Sequence, residues 1–231
     1  VNTSEYVFNS EGVRREGDRQ VLTMSLEVAP GAKLKYEYVL YDEKNPSRDY
    51  LIDFNIKMEN LSPIMAQQSS LGLMWSNRTF QNERSYKNEN MYTNLYYRYP
   101  GEVGIEDLGV SEGNKSENIS TSVDWVAFKQ QYFTAAIIPQ GVKFSYADLS
   151  YQTAAEKSGY IKDYKMVAAV PYTAQTEGYK FDFYLGPNKF PVLKKLADKD
   201  GNPLSLERII PLGWIFSTYV SRWVVIPLFT F

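Results

Sequence analysis

The chain has 231 residues, with 27 acidic against 25 basic side chains (net charge -2) and neither cysteine nor histidine. These absences exclude disulfides, thiolate nucleophiles, Ser-His-Asp triads and Cys- or His-based metal centres, and the balanced charge offers no basic surface for nucleic acid. With 44% hydrophobic and 23% charged residues the composition is globular, and 15% aromatics, tyrosine foremost with 19 copies, favour β structure.

In chain order, Val1 opens without an initiator methionine, a basic segment or an apolar leader, as expected of a piece of a longer protein. Gln20–Val28 alternates, with Leu22, Met24, Leu26 and Val28 on one face. Pro30-Gly31 supplies turn chemistry, and Lys33–Tyr41 alternates again, which predicts a hairpin. A solvated loop at 42–49 precedes a strand marked by Tyr50, Ile52, Phe54, Ile56 and Met58. Weaker strands are predicted at Leu71–Ser76, Leu95–Tyr99, Trp125–Phe133, Ala135–Ile138, Val142–Leu149, Lys165–Val170 and Tyr179–Leu185. The polar stretches Asn77–Asn90 and Ser111–Thr121 read as loops between them. Many short strands with almost no helical periodicity predict antiparallel sheets packed as a sandwich. The tyrosines admit two readings: strand packing with hydroxyls toward water, or a stacking platform for sugars or peptides.

The character changes after Gly186-Pro187. Phe190, Val192, Leu193 and Leu196 fall at helical spacing, Asp198–Pro203 is a polar turn, and Leu204–Phe231 is strongly apolar. From Leu212 to Ile226 the polar residues Ser217, Thr218, Ser221 and Arg222 share one arc of a helical wheel. About fifteen helical residues span ~22 Å, short of a ~30 Å hydrocarbon core. Trp214, Ile215, Phe216, Tyr219 and Trp223 are therefore the candidate membrane-interface residues, with docking of this helix on the β body as the alternative.

No constellation points to catalysis. The carboxylate pairs Glu5/Glu11, Asp42/Glu43, Glu106/Asp107 and Asp198/Asp200 all lie in polar stretches, and nothing in the sequence sets two of them across a cleft. Asp198–Asn202 lacks the closing acid of a calcium loop and reads as a turn. No glycine pattern matches a nucleotide site, and no metal or cofactor is expected.

Three segments do carry information. Trp125-Val126-Ala127-Phe128-Lys129-Gln130-Gln131-Tyr132-Phe133, then Tyr184-Leu185-Gly186-Pro187, then Ile210-Pro211-Leu212-Gly213-Trp214 with Val225-Ile226-Pro227 occur in this order. Together they resemble the large periplasmic domain of YidC-type membrane protein insertases. The resemblance implies a mainly β fold, an antiparallel β-supersandwich similar to galactose mutarotase, over residues 1–186. A C-terminal helical segment, 187–231, would lead toward the membrane, with helices only after Pro187. It further implies a non-catalytic periplasmic domain of a bacterial inner-membrane insertase, supporting insertion and folding of membrane proteins by scaffolding. Expected partners are nascent inner-membrane proteins, the Sec translocon with its accessory subunits, and the membrane surface. The family's charged membrane groove lies outside this chain, and mutarotase chemistry needs histidine, so no active residue carries over. Trp125, Phe128, Tyr132, Phe133, Gly186 and Pro187 are the candidate architectural residues. Trp125, Phe128 and Phe133 are expected to be packed, Gly186 to adopt a conformation that other residues resist, and Pro187 to start a helix. Rival readings are a carbohydrate-binding module and a chaperone-like domain capturing extended peptides at a sheet edge.

Overall fold

The alternating segments fold as the pattern dictates. β1 (Asn9–Glu16), β2 (Arg19–Ala29), β3 (Ala32–Tyr41) and β4 (Leu51–Glu59) form an antiparallel meander. Pro30-Gly31 turns the β2–β3 hairpin, with Gly31 at φ 74°, in the left-handed region open to glycine. The computed structural model describes residues 2–42, 48–110, 113–211, 223 and 226.

Next come β5 (Ser70–Phe80), α1 (Tyr86–Tyr92), β6 (Asn94–Arg98), β7 (Glu106–Asp107), β8 (Asn114–Ile119), β9 (Trp125–Lys129) and β10 (Phe133–Gln140). β11 (Tyr146–Thr153), β12 (Tyr160–Pro171), β13 (Gly178–Pro187) and α2 (Phe190–Lys194) complete the order, followed by a 3-10 turn at Leu206–Ile209. A nine-stranded sheet in the order β1-β2-β3-β4-β13-β10-β9-β6-β7 faces a four-stranded sheet in the order β5-β12-β11-β8. The fold is mainly β, with two antiparallel sheets and few short helices.

Two cores form on opposite faces of the large sheet. Val126 and Phe128 of β9 point between the sheets, into a cluster with Phe54, Tyr164, Met166 and Phe181. Trp125 and Ala127 point the other way, into a cluster with Tyr184, Leu193, Leu196, Leu204 and Ile209. Strands buried on both faces read as continuous apolar runs, which is why β9 and β10 do not alternate.

The rings that cross between the sheets fix their overlap. Trp75 of β5 stacks 4.3 Å from Phe128 and lies 5.5 Å from Phe183, while Tyr164 of β12 stacks 4.9 Å from Phe128. At the far side Tyr97 of β6 donates to Glu117 of β8 at 2.8 Å. β5 therefore sits over β9 and β13, and β4, β3, β2 and β1 continue the large sheet past its free edge. There the inner face is covered instead by Leu61 and by Phe8, which stacks 4.6 Å from Tyr36.

Three expectations are corrected. Helices are not confined to the region after Pro187, since α1 and a 3-10 turn at Thr3–Glu5 precede it. The polar stretch 77–90 is the end of β5 plus most of α1. Ser85 caps that helix by accepting from Asn88 N at 3.2 Å, and the buried Glu89 carboxylate accepts from the backbone N–H of Asn82 and Glu83 at 3.0 Å each. The polar stretch 111–121 contains β8, an exposed edge strand whose side chains need not be apolar because its pairing with β11 is made by the backbone.

The tyrosines pack in strands, but the hydroxyls of most of the buried ones reach protein acceptors, Tyr172 being the exception among the described residues. Tyr151 donates to Gly109 O (2.6 Å), Tyr179 to Pro171 O (2.8 Å), Tyr184 to Pro187 O (2.6 Å) and Tyr164 to Lys129 O (3.3 Å).

Candidate functional site: the outer face of the large sheet

The C-terminal segment docks on the outer face of β9, β10 and β13. Leu193, Leu196, Leu204, Leu206 and Ile209 are buried there against Trp125 and Tyr184. Trp125 Nε1 donates to Leu204 O at 2.8 Å, and Arg98 Nη1 donates to Pro203 O at 2.8 Å, so backbone acceptors of the returning chain are fixed to β9 and β6. The turn between α2 and the 3-10 segment is closed by Asp198, whose Oδ1 accepts from Asp200 N and Asn202 N at 2.9 Å each. Those donors hold the Asp198 carboxyl below its ordinary range although burial acts against them. The Asp198–Asn202 stretch is a turn, as its composition predicts.

The architectural residues divide. Trp125 and Phe128 are buried, as expected. Phe133 is 58% exposed and Tyr132 is also exposed, because β9 ends at Lys129 and the chain reverses through Gln130–Tyr132 before β10. Gly186 is not in the left-handed region. A Cβ there would lie 2.7 Å from the Tyr184 ring and 2.7 Å from Tyr50 Cβ, so the position needs a missing side chain and not a special φ. Pro187 ends β13, opposite Phe133, and starts no helix; Pro191, in the first turn of α2, does that.

Asn188 is the residue that sequence reasoning missed. Its Nδ2 donates to Gln130 O (2.9 Å) and Gln131 O (3.1 Å), its backbone N donates to Tyr132 O (2.7 Å), and its Oδ1 accepts from Thr134 Oγ1 (2.6 Å). Two of the three informative segments are thus parts of one structure, a β9–β10 reversal clamped by the residue after Gly186-Pro187. An asparagine following Pro187 was the only available signal.

A second polar cluster lies where β4, β13 and the segment before β4 meet. Asp53 and Asp182 are register partners. Arg48 bridges them: its Nη2 donates to Asp182 Oδ1 at 2.9 Å and also to Asp53 Oδ1. Tyr41 Oη donates to Asp53 at 3.0 Å and Gln140 Nε2 to Asp182 at 2.8 Å. Burial raises the Asp182 carboxyl above its usual range against the pull of Arg48. Two carboxylates this heavily engaged by a cation and neutral donors form a structural ion cluster; neither is placed as a free acid or base. The carboxylates weighed from sequence are not gathered: Glu106 and Asp107 lie exposed on the short strand β7, and Glu43 lies outside the described residues.

Beside this cluster a groove of about 1330 Å³ runs over β1–β4 and the start of β13. Several of its polar groups satisfy one another: Lys57 Nζ donates to Glu37 at 2.8 Å, Asn55 Nδ2 donates to Glu37 at 3.2 Å, and Arg19 donates to Glu16 at 2.9 Å. Tyr41 and Tyr179 are the aromatic residues among its described lining, which is little of a stacking platform.

Of the candidate membrane-interface residues, Trp223 is 73% exposed, and Trp214, Ile215, Phe216 and Tyr219 lie outside the described residues. Among the described residues no helix is long and apolar enough to cross a membrane.

The chain is 30% identical over 237 residues to the membrane protein insertase YidC of Parabacteroides distasonis, covering 100% of this chain and 35% of that protein. It is 31% identical over 218 residues to the same-named protein of Phocaeicola vulgatus, covering 90% of this chain and 33% of the relative. The chain therefore spans about a third of the length of the relatives it matches. Among solved structures, a heparan sulfate lyase HepC from Pedobacter heparinus aligns at TM-score 0.35 and 11% identity, over 78% of this chain and 22% of that one. The family model for the YidC periplasmic domain matches residues 1–231, and the chain belongs to that family, the periplasmic domains of YidC-type membrane protein insertases.

Proposed function

We propose that this chain is a non-catalytic scaffold. It would be a β-supersandwich over about residues 1–186 whose C-terminal segment, 187–231, carries it to the membrane surface beside an insertase core. The observation that carries this reading is the docking of Leu193–Ile209 on the outer face of the large sheet. The Trp125–Leu204 and Arg98–Pro203 bonds make the sheet and the returning chain one unit up to the point where the apolar run begins. A unit of this kind sets the height and orientation of a β body over a membrane; a flexible linker would not. The absence of histidine and cysteine from the sequence, and the engagement of Asp53 and Asp182 by Arg48, support a role without turnover.

In this role the domain supports insertion and folding of membrane proteins through contacts with nascent chains, the Sec translocon and accessory subunits. The test is site-specific photo-crosslinking in the full-length parent protein, with the crosslinker placed in turn on the large sheet, on the small sheet and at Trp223. Adducts to nascent membrane proteins or translocon subunits from one β surface, and to lipid from Trp223, are the expected result. Adducts from neither sheet would overturn the scaffolding role.

A further inference from the structure

The two sheets have four edges, and three are protected. β1 carries a bulge between Ser10 and Val13 and the charges Glu11, Arg14, Arg15 and Glu16. β7 has two residues, and β8 is short and carries Lys115 and Glu117. β5 is different. It runs for 11 residues, among the described residues pairs with β12 alone, contains no proline, and bears one charge, Arg78, which is already engaged by Asp163. Its outward face exposes Met74 at 59% and Phe80. An edge strand that is long, with its single charge neutralised and no proline, presents a row of unpaired N–H and C=O groups, which natural sheets ordinarily blunt.

What lies beneath that edge is apolar. Trp75 places β5 over β9 and β13, so the next position outward is over β4 and β3. At one end of that region, on the inner face by strand alternation, Leu40 of β3 is 50% exposed and Ile52 of β4 is partly so, with Leu185 of β13, 49% exposed, beside them. The small sheet is narrower than the large one, and past the part of the inner face that Leu61 and Phe8 cover this exposed strip borders β5.

We propose that β5 accepts an extended, uncharged polypeptide segment as a fifth strand of the small sheet. Its alternate apolar side chains would cover Leu40, Ile52 and Leu185. The occupant follows from the geometry. Unpaired backbone groups at strand spacing are matched by another strand, an apolar strip on one side alone asks for period-two alternation, and an edge whose single charge is neutralised selects against a charged segment. A stretch of unfolded polypeptide on its way to the membrane has this chemistry. The inference goes beyond the scaffolding role and does not depend on how the chain meets the membrane.

The experiment uses the whole chain and a capped peptide of alternating valine and serine about nine residues long, a common strand length. Amide-resolved hydrogen exchange should show that every second amide between Ser70 and Phe80 slows when the peptide is added. The same peptide with prolines at the serine positions, which cannot pair, should leave the pattern unchanged. Leu185→Lys, on the half-exposed strip, should weaken binding about tenfold, since the peptide's apolar side chains would then bury a charge, with the thermal midpoint retained. Protection elsewhere with β5 unchanged, or equal binding of the proline peptide, would overturn the proposal. So would protection of β5 that grows with protein concentration in the absence of peptide, which would make a second copy of the chain the occupant.

Discussion

Lys129 on the large sheet and Lys162 on the small sheet donate to the carbonyls of two consecutive residues, Tyr92 at 2.7 Å and Thr93 at 2.5 Å, at the C-terminal end of α1. Both lysines are buried, and among the described residues neither has a carboxylate partner. The last carbonyls of a helix lack intrahelical donors, and here each sheet supplies one. A short polar helix thereby ties the two sheets together at one end of the sandwich.

Burial brings each of these ammonium groups down from 10.5 to about 8. Between pH 8 and 10.5 the unfolded chain holds protons that the folded chain has released, so stability rises with pH. The slope is at most about 1.4 kcal/mol per pH unit for each lysine. The rise should stop near pH 10, where tyrosines ionise in the unfolded chain while Tyr97, Tyr164 and Tyr184 stay protonated in the fold, their hydroxyls raised by burial. Urea midpoints measured from pH 7 to 10 should climb and then level. A variant with Lys129→Met and Lys162→Met should lose the climb.

Replacing Trp125 by Phe keeps an aromatic ring in the second core but leaves Leu204 O without its donor. An unsatisfied buried acceptor costs about 1–3 kcal/mol. Chemical denaturation should report a loss in that range, and hydrogen exchange should show faster opening of residues 193–209 than of β11 or β12.

Arg48→Met should destabilise the fold by about 2 kcal/mol, below the usual cost of breaking a fully buried pair because Arg48 keeps some solvent contact. It leaves Asp53 and Asp182 facing one another on paired strands. The deficit should shrink as pH falls through the carboxylate range, since protonating Asp182, whose carboxyl burial already raises, relieves the repulsion. Denaturation midpoints at pH 7 and pH 4, compared between parent and variant, check both statements.

Gly186→Ala should destabilise by about 1–3 kcal/mol through overpacking against Tyr184 and Tyr50. If the position were used for a left-handed conformation, Gly186→Asn would be milder than Gly186→Ala. The packing account predicts the reverse order, readable from two thermal melts.

What the sequence disclosed follows from where each side chain points. β2, β3 and β4 alternate because one face of each is wet or grooved, and their bounds lie within a few residues of the reading from pattern. β1 and β8 were invisible because they are edge strands with mostly exposed side chains, so pairing by the backbone leaves no mark on composition. α1 was missed because its support is distant. The lysines that hold it lie 37 and 69 residues further along the chain. The Arg48–Asp182 contact spans 134 residues, beyond any local signal. The family segments were legible as a string of residues, but their joint role through Asn188 was not, because that link is made by side-chain bonds to Gln130 O, Gln131 O and Thr134 and a backbone bond to Tyr132 O.

The central claim is that a rigid β body delivers an interfacial segment to the membrane. Flotation with liposomes tests it most directly, comparing the whole chain with a version ending at Pro211. That endpoint retains Ile209, which is buried in the second core, so the body stays intact. The account predicts that the whole chain floats with the vesicles, that the shortened chain stays at the bottom, and that both melt at the same temperature. Equal flotation of the two, or flotation of neither, would contradict it.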